Sequence, residues 1–221
     1  MTKIKICGIT RLVDAIEACR AGADALGFNF SSSSPRMISP DLARRIIAEL
    51  PPFVTPTGIF VEQTPEEINS ICRYTGVQVA QLHSDSYSPS QALAVTSARV
   101  VRVFRPGPEF RIEEVRKFAR ETRVNGFLFD AYSPEMAGGT GETIESSIAM
   151  RLIEETRSFA WAILAGGLNP GNVGAAVRHL RPWGVDTASG VESAPGIKDH
   201  IRIRAFVEAI READRQITSF S

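Results

Sequence analysis

The chain has 221 residues, 43% of them hydrophobic and 23% charged, with 25 Lys and Arg set against 25 Asp and Glu. That balance leaves no whole-chain field to attract nucleic acid or an anionic membrane, so an anionic ligand must be held by local groups. No run approaches the roughly 20 apolar residues that span a bilayer, the N-terminus lacks a secretory-signal pattern, and the three cysteines (Cys7, Cys19, Cys72) form no CxxC, so reduced thiols in a cytoplasmic protein are the expectation.

The chain opens on Lys3-Ile4-Lys5-Ile6-Cys7-Gly8-Ile9-Thr10. Alternation predicts a strand over Lys3–Cys7, with Ile4 and Ile6 on one face and Lys3, Lys5 and Cys7 on the other. A cationic neighbour lowers a thiol's pKa, so Cys7 reads as a group placed for acid–base or nucleophilic work. The bland reading is a small buried thiol.

Further strands are predicted at Ala25–Phe30, Thr57–Val61, Val77–His83, Val100–Phe104, Gly126–Asp130, Trp161–Ala165 and Val185–Ala188. Helices are predicted between and after them, at Leu12–Ala21, Pro40–Glu49, Pro65–Tyr74, Ser90–Thr96, Glu113–Thr122, Ser146–Thr156, Asn172–His179 and Ile201–Gln216. Helical spacing puts Ile68, Ile71 and Cys72 on one face of the third helix, and Ile203, Phe206, Val207 and Ile210 on one face of the last. Thr64-Pro65-Glu66-Glu67, Ser39-Pro40-Asp41 and Asn169-Pro170 carry helix-start signals.

Eight such units in 221 residues average roughly 28 residues each, which fits a single-domain (β/α)8 barrel over residues 1–221. An open doubly wound sheet also fits the alternation; the count of eight favours closure. The longer loops, Ser31–Met37 and Tyr132–Thr143, are candidates to close over a ligand.

In such a barrel, chemistry sits at the C-terminal ends of the strands. Those ends carry Cys7, Asn29 with Arg36 beyond it, Gln81 and His83 on one face, Asp130, and Asp186 with Ser189 beyond it. Each alone could be a cap or a solvated loop residue, but a purely structural barrel would not need the cluster. Glycines gather after the last three strands, in Gly138-Gly139-Thr140-Gly141, Ala165-Gly166-Gly167-Leu168 and Ser189-Gly190-Val191-Glu192. They let backbone N–H groups approach an anion, and the loops after strands seven and eight are the usual phosphate site of this fold. Turn chemistry is the alternative for any one pair. Three histidines (His83, His179, His200) without an HExxH or Cys/His cluster argue against a protein-built metal site.

Taken in order, Lys5-Ile6-Cys7-Gly8-Ile9-Thr10, Gly27-Phe28-Asn29-Phe30, Ser34-Pro35-Arg36, Gln81-Leu82-His83, Phe129-Asp130, Gly138-Gly139-Thr140-Gly141, Leu164-Ala165-Gly166-Gly167-Leu168 and Asp186-Thr187-Ala188-Ser189-Gly190-Val191-Glu192 resemble the phosphoribosylanthranilate isomerase family of tryptophan biosynthesis, along essentially the whole chain. The resemblance implies an aldose–ketose isomerase performing an Amadori rearrangement. N-(5-phosphoribosyl)anthranilate would become 1-(2-carboxyphenylamino)-1-deoxyribulose 5-phosphate. It implies Asp130 as general acid, Cys7 as general base, and Arg36 on the anthranilate. Gly141, Gly166, Gly167, Ser189 and Gly190 would hold the phosphate. Gln81 and His83 join the substrate site, with Asp186 near the sugar hydroxyls. No metal or organic cofactor is implied, and the partners expected are a small phosphosugar substrate, no nucleic acid, no membrane, and at most a second copy (monomer or homodimer).

These roles make demands on acidity. Unperturbed values near 3.9 for Asp and 8.5 for Cys leave both groups mostly in the wrong state near neutral pH. The expectation is therefore that the site raises Asp130 and lowers Cys7, with Lys5 a candidate for the second task. Three positions depart from the family pattern: Ser84 follows Gln-Leu-His in place of glycine, Ala188 replaces a serine, and Glu142 with Thr143 stands where a basic and an aromatic residue are common.

Other readings compete. The related histidine-pathway aminoaldose isomerase uses an aspartate at the position of Cys7. A Schiff-base aldolase would need a lysine nucleophile, and the strands offer only Lys3 and Lys5. A non-catalytic phosphosugar sensor would be expected to lack Cys7 or Asp130. One half of a fusion with indoleglycerol-phosphate synthase would carry a second domain, so the stand-alone form is expected.

Overall fold

The structure, a computed structural model, describes residues 1–107, 109–130 and 144–219. Gly141, Glu142 and the whole of the Tyr132–Thr143 loop named above lie outside the described residues.

Strands β1 (Lys3–Ile6), β2 (Ala25–Asn29), β3 (Thr55–Phe60), β4 (Val79–Leu82), β5 (Arg99–Phe104), β6 (Gly126–Asp130), β7 (Trp161–Ala165) and β8 (Gly184–Thr187) form a closed barrel in chain order. All eight neighbouring pairs are parallel. β8 returns to β1 with Lys5 opposite Asp186 and Ile6 opposite Thr187, and this pairing rules out the open sheet. Helices α1 (Leu12–Ala21), α2 (Pro40–Ala48), α3 (Pro65–Thr75), α4 (Pro89–Ala94), α5 (Ile112–Thr122), α6 (Ile144–Thr156), α7 (Val173–Leu180) and α8 (His200–Ser219) follow the strands in turn. No helix among the described residues is long and apolar enough to cross a membrane.

Strand alternation sorts the core into two layers. Ile4, Ile6, Leu26, Phe28, Phe60, Leu82, Phe127, Phe129 and Leu164 are buried in the large apolar layer between barrel and helices. The inward set differs around the barrel. Val101, Val103, Leu128, Ile163 and Ala165 form a small separate apolar cluster on the β5–β7 side. Lys5, Thr57, Gln81 and Asp186, from the other strands, are buried polar groups. The inside of the barrel is thus apolar on one side and polar on the other, with an ion pair between Lys5 and Asp186.

The helix-start signals mostly place the helices. Thr64 makes a full capping box with Glu67 at the start of α3, and Ser39 accepts from the Leu42 amide at the start of α2. Asn169-Pro170 does not start a helix. The Asn169 side chain accepts from Gly171 N at 2.8 Å, Asn172 takes the cap position, and α7 begins at Val173. The local Asn-Pro-Gly turn satisfies the asparagine before a helix can use it. α4 begins at Pro89, where Ser88 and Gln91 form a capping box, and it ends at Ala94. Beyond β8 lie elements with no counterpart in the sequence reading: a 3-10 turn over Ser189–Val191 and a short antiparallel hairpin of β9 (Glu192–Ala194) and β10 (Ile197–Lys198).

Candidate active site

At the C-terminal mouth of the barrel lies a cavity of about 260 Å³ lined by Cys7, Arg36, Gln81, His83, Asp130 and Asp186, with Gly166, Gly167 and Ser189 on its rim. β1, β4, β6 and β8 each end there, so topology alone gathers residues far apart in sequence. Gly190 is not on the cavity wall. A Cβ at that position would fall 1.9 Å from the Leu168 carbonyl oxygen, so its bare backbone is what lets the β8 loop pass the β7 loop. Ser84 also lies off the wall, its hydroxyl paired with Ser86 at 2.8 Å. The opening at the other end of the barrel is larger, about 670 Å³, and is lined by Lys3, Asp24, Phe53, Arg99 and Trp183 among others. It holds none of the thiol–carboxylate–imidazole set, and the fold places no strand C-terminus there.

Cys7 follows β1 directly, its amide donating to Thr187 O at 2.8 Å. The thiol fits because Gly27 faces it: a Cβ on Gly27 would sit 2.7 Å from Sγ. Lys5 lies one layer deeper and pairs with Asp186 at 2.9 Å, both side chains nearly inaccessible, a close ion pair rather than an aligned hydrogen bond. Burial opposes the Lys5 charge, but Asp186 and Cys7 outweigh it and hold the ammonium above its ordinary value. The thiol moves the other way from expectation. Burial raises the Cys7 pKa above the ordinary value, Lys5 and Lys198 oppose that rise, and Asp186 adds to it. Lys5 does favour the thiolate, but desolvation wins.

Asp130 closes β6 across the mouth, its side chain 30% exposed. His83 Nε2 stands 3.8 Å from Asp130 Oδ2, and Gln81 Nε2 lies 3.3 Å from His83 Nδ1. With the Gln81 amide as donor, the ring proton sits on Nε2, toward the carboxyl. Burial first, and the nearby Arg105 second, push His83 below its usual pKa, so the imidazole is neutral at neutral pH. Arg105 Nε also lies 3.8 Å from Asp130 Oδ2. Sequence reasoning missed Arg105. It stands one residue past β5, on the inward face of Val101 and Val103, and the strand-end rule could have found it.

Arg36 lies across Gly8, whose φ of +76° and missing Cβ make the crossing possible; a Cβ there would meet Arg36 Cδ at 2.5 Å. Its guanidinium is clamped by Glu192, with Nε at 2.8 Å from Oε1 and Nη2 at 2.6 Å from Oε2. That hydrogen-bonded pairing raises the Arg36 pKa. Burial works against the Glu192 charge, but the bonds from Arg36 and Lys198 hold its carboxyl below the usual range. Neither Glu192 nor Lys198 was assigned a role from the sequence. Among the described residues, no three His, Cys, Asp or Glu side chains come together to hold a metal ion.

The family model described as N-(5'phosphoribosyl)anthranilate (PRA) isomerase matches residues 4–209. The N-(5'-phosphoribosyl)anthranilate isomerase of Chlorobaculum parvum is 64% identical over 219 residues, 99% of each chain. Among solved structures, the phosphoribosyl anthranilate isomerase of Thermotoga maritima superposes with a TM-score of 0.81 at 36% identity, covering 96% of this chain and 100% of that one. A second, in complex with reduced 1-(o-carboxyphenylamino)-1-deoxyribulose 5-phosphate, has a TM-score of 0.80 at 34% identity, covering 96% of this chain and 100% of that one.

Proposed function

The chain belongs to the N-(5'-phosphoribosyl)anthranilate isomerase family, and we propose that Cys7 and Asp130 divide the acid–base work of its reaction. The protein is an isomerase of tryptophan biosynthesis, turning the aminoaldose N-(5-phosphoribosyl)anthranilate into the aminoketose 1-(2-carboxyphenylamino)-1-deoxyribulose 5-phosphate. The observation that carries the division of labour is that the Cys7 thiol and the Asp130 carboxyl line a single cavity at the ends of β1 and β6, while the cavity's other carboxyl, Asp186, is paired with Lys5.

The Asp130 carboxylic acid gives its proton to the furanose ring oxygen. The C1–O bond breaks, and the anthranilate nitrogen lone pair forms the C1=N bond of a protonated Schiff base. The Cys7 thiolate then takes the proton from C2, and the C2–H electrons move into a C1–C2 double bond as the iminium collapses to an enolamine. Tautomerisation gives the ketone at C2, and the thiol proton returns to solvent or product. Arg36 takes the anthranilate carboxylate with the free part of its fork. Backbone N–H groups of Gly166, Gly167 and Ser189, which rim the cavity, take the phosphate, and the family pattern adds Gly190 and Gly141. Gln81 and His83 hold a neutral imidazole beside the acid. Asp186 serves Lys5 first, and its reach to the sugar hydroxyls is secondary.

A thiol raised by burial is a stronger base once ionised, and the neighbouring Lys5 ammonium favours the ionised form against that burial. Substrate fluorescence is lost on turnover, which gives the assay. Cys7→Ala and Asp130→Asn are each expected to reduce kcat by at least about a hundredfold, the usual size of a general acid or base contribution. Retained activity in either variant removes that residue from the mechanism.

A further inference from the structure

Building on the assignment of Arg36 to the anthranilate carboxylate, we propose that Glu192 and Lys198 are positioning residues that select a substrate carrying a carboxylate on its ring. A guanidinium has five N–H donors. Glu192 occupies the Nε side of the Arg36 fork, at 2.8 and 3.1 Å from Nε and 2.6 Å from Nη2. Nη1 has no hydrogen-bond partner among the described residues. The clamped edge fixes the plane of the group, and the Nη1–Nη2 edge is left to receive a second carboxylate side-on.

Clamping by a carboxylate carries an electrostatic penalty for that task. An Arg–Glu pair is neutral, and a neutral pair offers an incoming carboxylate little net attraction. Lys198 restores the charge. Its fully buried ammonium sits 2.8 Å from Glu192 Oε1 and 3.0 Å from Ala188 O. Gly196 N also donates to Oε1, at 3.3 Å. The β9–β10 hairpin sets Lys198 opposite Glu192 in register, which is a structural reason for the hairpin itself. The cluster therefore holds two cations and one anion, an excess of one positive charge beside the cavity, with the Arg36 guanidinium oriented by its bonds to Glu192.

The test is competition against turnover by two fragments, 2-aminobenzoate for the ring end and ribose 5-phosphate for the sugar end. Glu192→Gln relieves the charge penalty but releases the plane of the Arg36 fork, so lost orientation is expected to weaken inhibition by 2-aminobenzoate and to raise KM by about tenfold, the scale of one charge-assisted hydrogen bond. Inhibition by ribose 5-phosphate and kcat are expected to stay within about threefold of wild type on the same scale. Lys198→Met is expected to show the same split. If both fragments weaken together, Glu192 only supports the fold and the proposal is overturned. Arg36→Met is the reference. Undiminished 2-aminobenzoate inhibition there overturns the assignment of Arg36, whereas loss there with none in Glu192→Gln overturns only the positioning role. Should Glu192→Gln fail to fold with Lys198 left unpaired, the double variant Glu192→Gln/Lys198→Met removes both charges, and the same split is expected of it.

Discussion

At the scale of single residues, the thiol of Cys7 is governed by opposing terms whose signs can be separated. Burial raises its pKa, the Lys5 ammonium lowers it and the Asp186 carboxylate raises it. Lys5→Met should therefore move the thiol further up, and Asp186→Asn should move it down. Thiolate absorbance during a pH titration, taken as the difference from the matching Cys7→Ala background that still carries Cys19 and Cys72, reads both, and a shared direction would show that Lys5 and Asp186 act only by packing. The base must be ionised to act, so kcat/KM limited by Cys7 should still be rising with pH past about 8.5, the ordinary thiol value. A profile that levels near neutrality would place another group in the base role. Gly8 gives a second prediction at this scale. Gly8→Ala adds a Cβ at 2.5 Å from Arg36 Cδ on a backbone with φ of +76°. Displacement of Arg36 should raise KM, and the strained backbone should cost about 1 kcal/mol or more of stability by urea denaturation. An unchanged KM would mean that the position of Arg36 does not matter for binding.

At the scale of elements, a buried carboxylate ties three of them together. Asp14 on α1 is fully buried. It accepts from Arg11 at 2.8 Å, from Lys198 N in β10 at 3.2 Å and pairs with His200 of α8 at 2.8 Å. Burial opposes its charge, but these partners outweigh burial and lower its pKa. A lowered carboxylate pKa contributes stability that is present above the unfolded value, near 4, and is lost as pH falls through the folded one. Asp14→Asn should thus destabilise by about 2–3 kcal/mol at neutral pH and narrow the gap to wild type as pH drops below about 4. Urea midpoints at several pH values measure this, and a gap that does not depend on pH would remove the charge from the explanation. The same hairpin shows where sequence reading stops. Barrel strands carry alternation and helices carry capping residues, so Ser39, Thr64 and the ends of β6 and β7 are legible to the residue. β9 and β10 have three and two residues, too few for any period. The partnership of Glu192 with Arg36 exists only once the barrel has closed. Cys7, Asp130 and Asp186 are legible because the strand-end rule needs no partner. The direction of the Cys7 shift is not legible, because alternation reveals the lysine beside the thiol but not how deeply both are buried.

At the scale of the whole molecule, closure joins the two ends of the chain. β1 pairs with β8, Thr2 bonds Asp214 of α8 at 2.9 and 2.7 Å, and the apolar face of α8 (Ile203, Phe206, Val207 and Ile210) is buried in the main core. A closed barrel has no free edge, so losing any one pairing opens a row of strand hydrogen bonds on both neighbours. The layers also share residues: the polar interior that carries Lys5 and Asp186 is roofed by the cavity that carries the chemistry. The structure therefore has no obvious seam along which one part could unfold alone. Phe206→Ala creates a cavity in the helix–barrel layer and should cost about 3–5 kcal/mol. Trp161 and Trp183, whose rings lie 5.3 Å apart at the start of β7 and just before β8, report on the barrel, and far-ultraviolet circular dichroism reports on the helices. In urea, both signals should shift together in the variant, because α8 holds the ends of the barrel as much as the barrel holds α8. A circular dichroism transition that moves to lower urea while the tryptophan transition stays would show that the eight strands remain closed without their last helix.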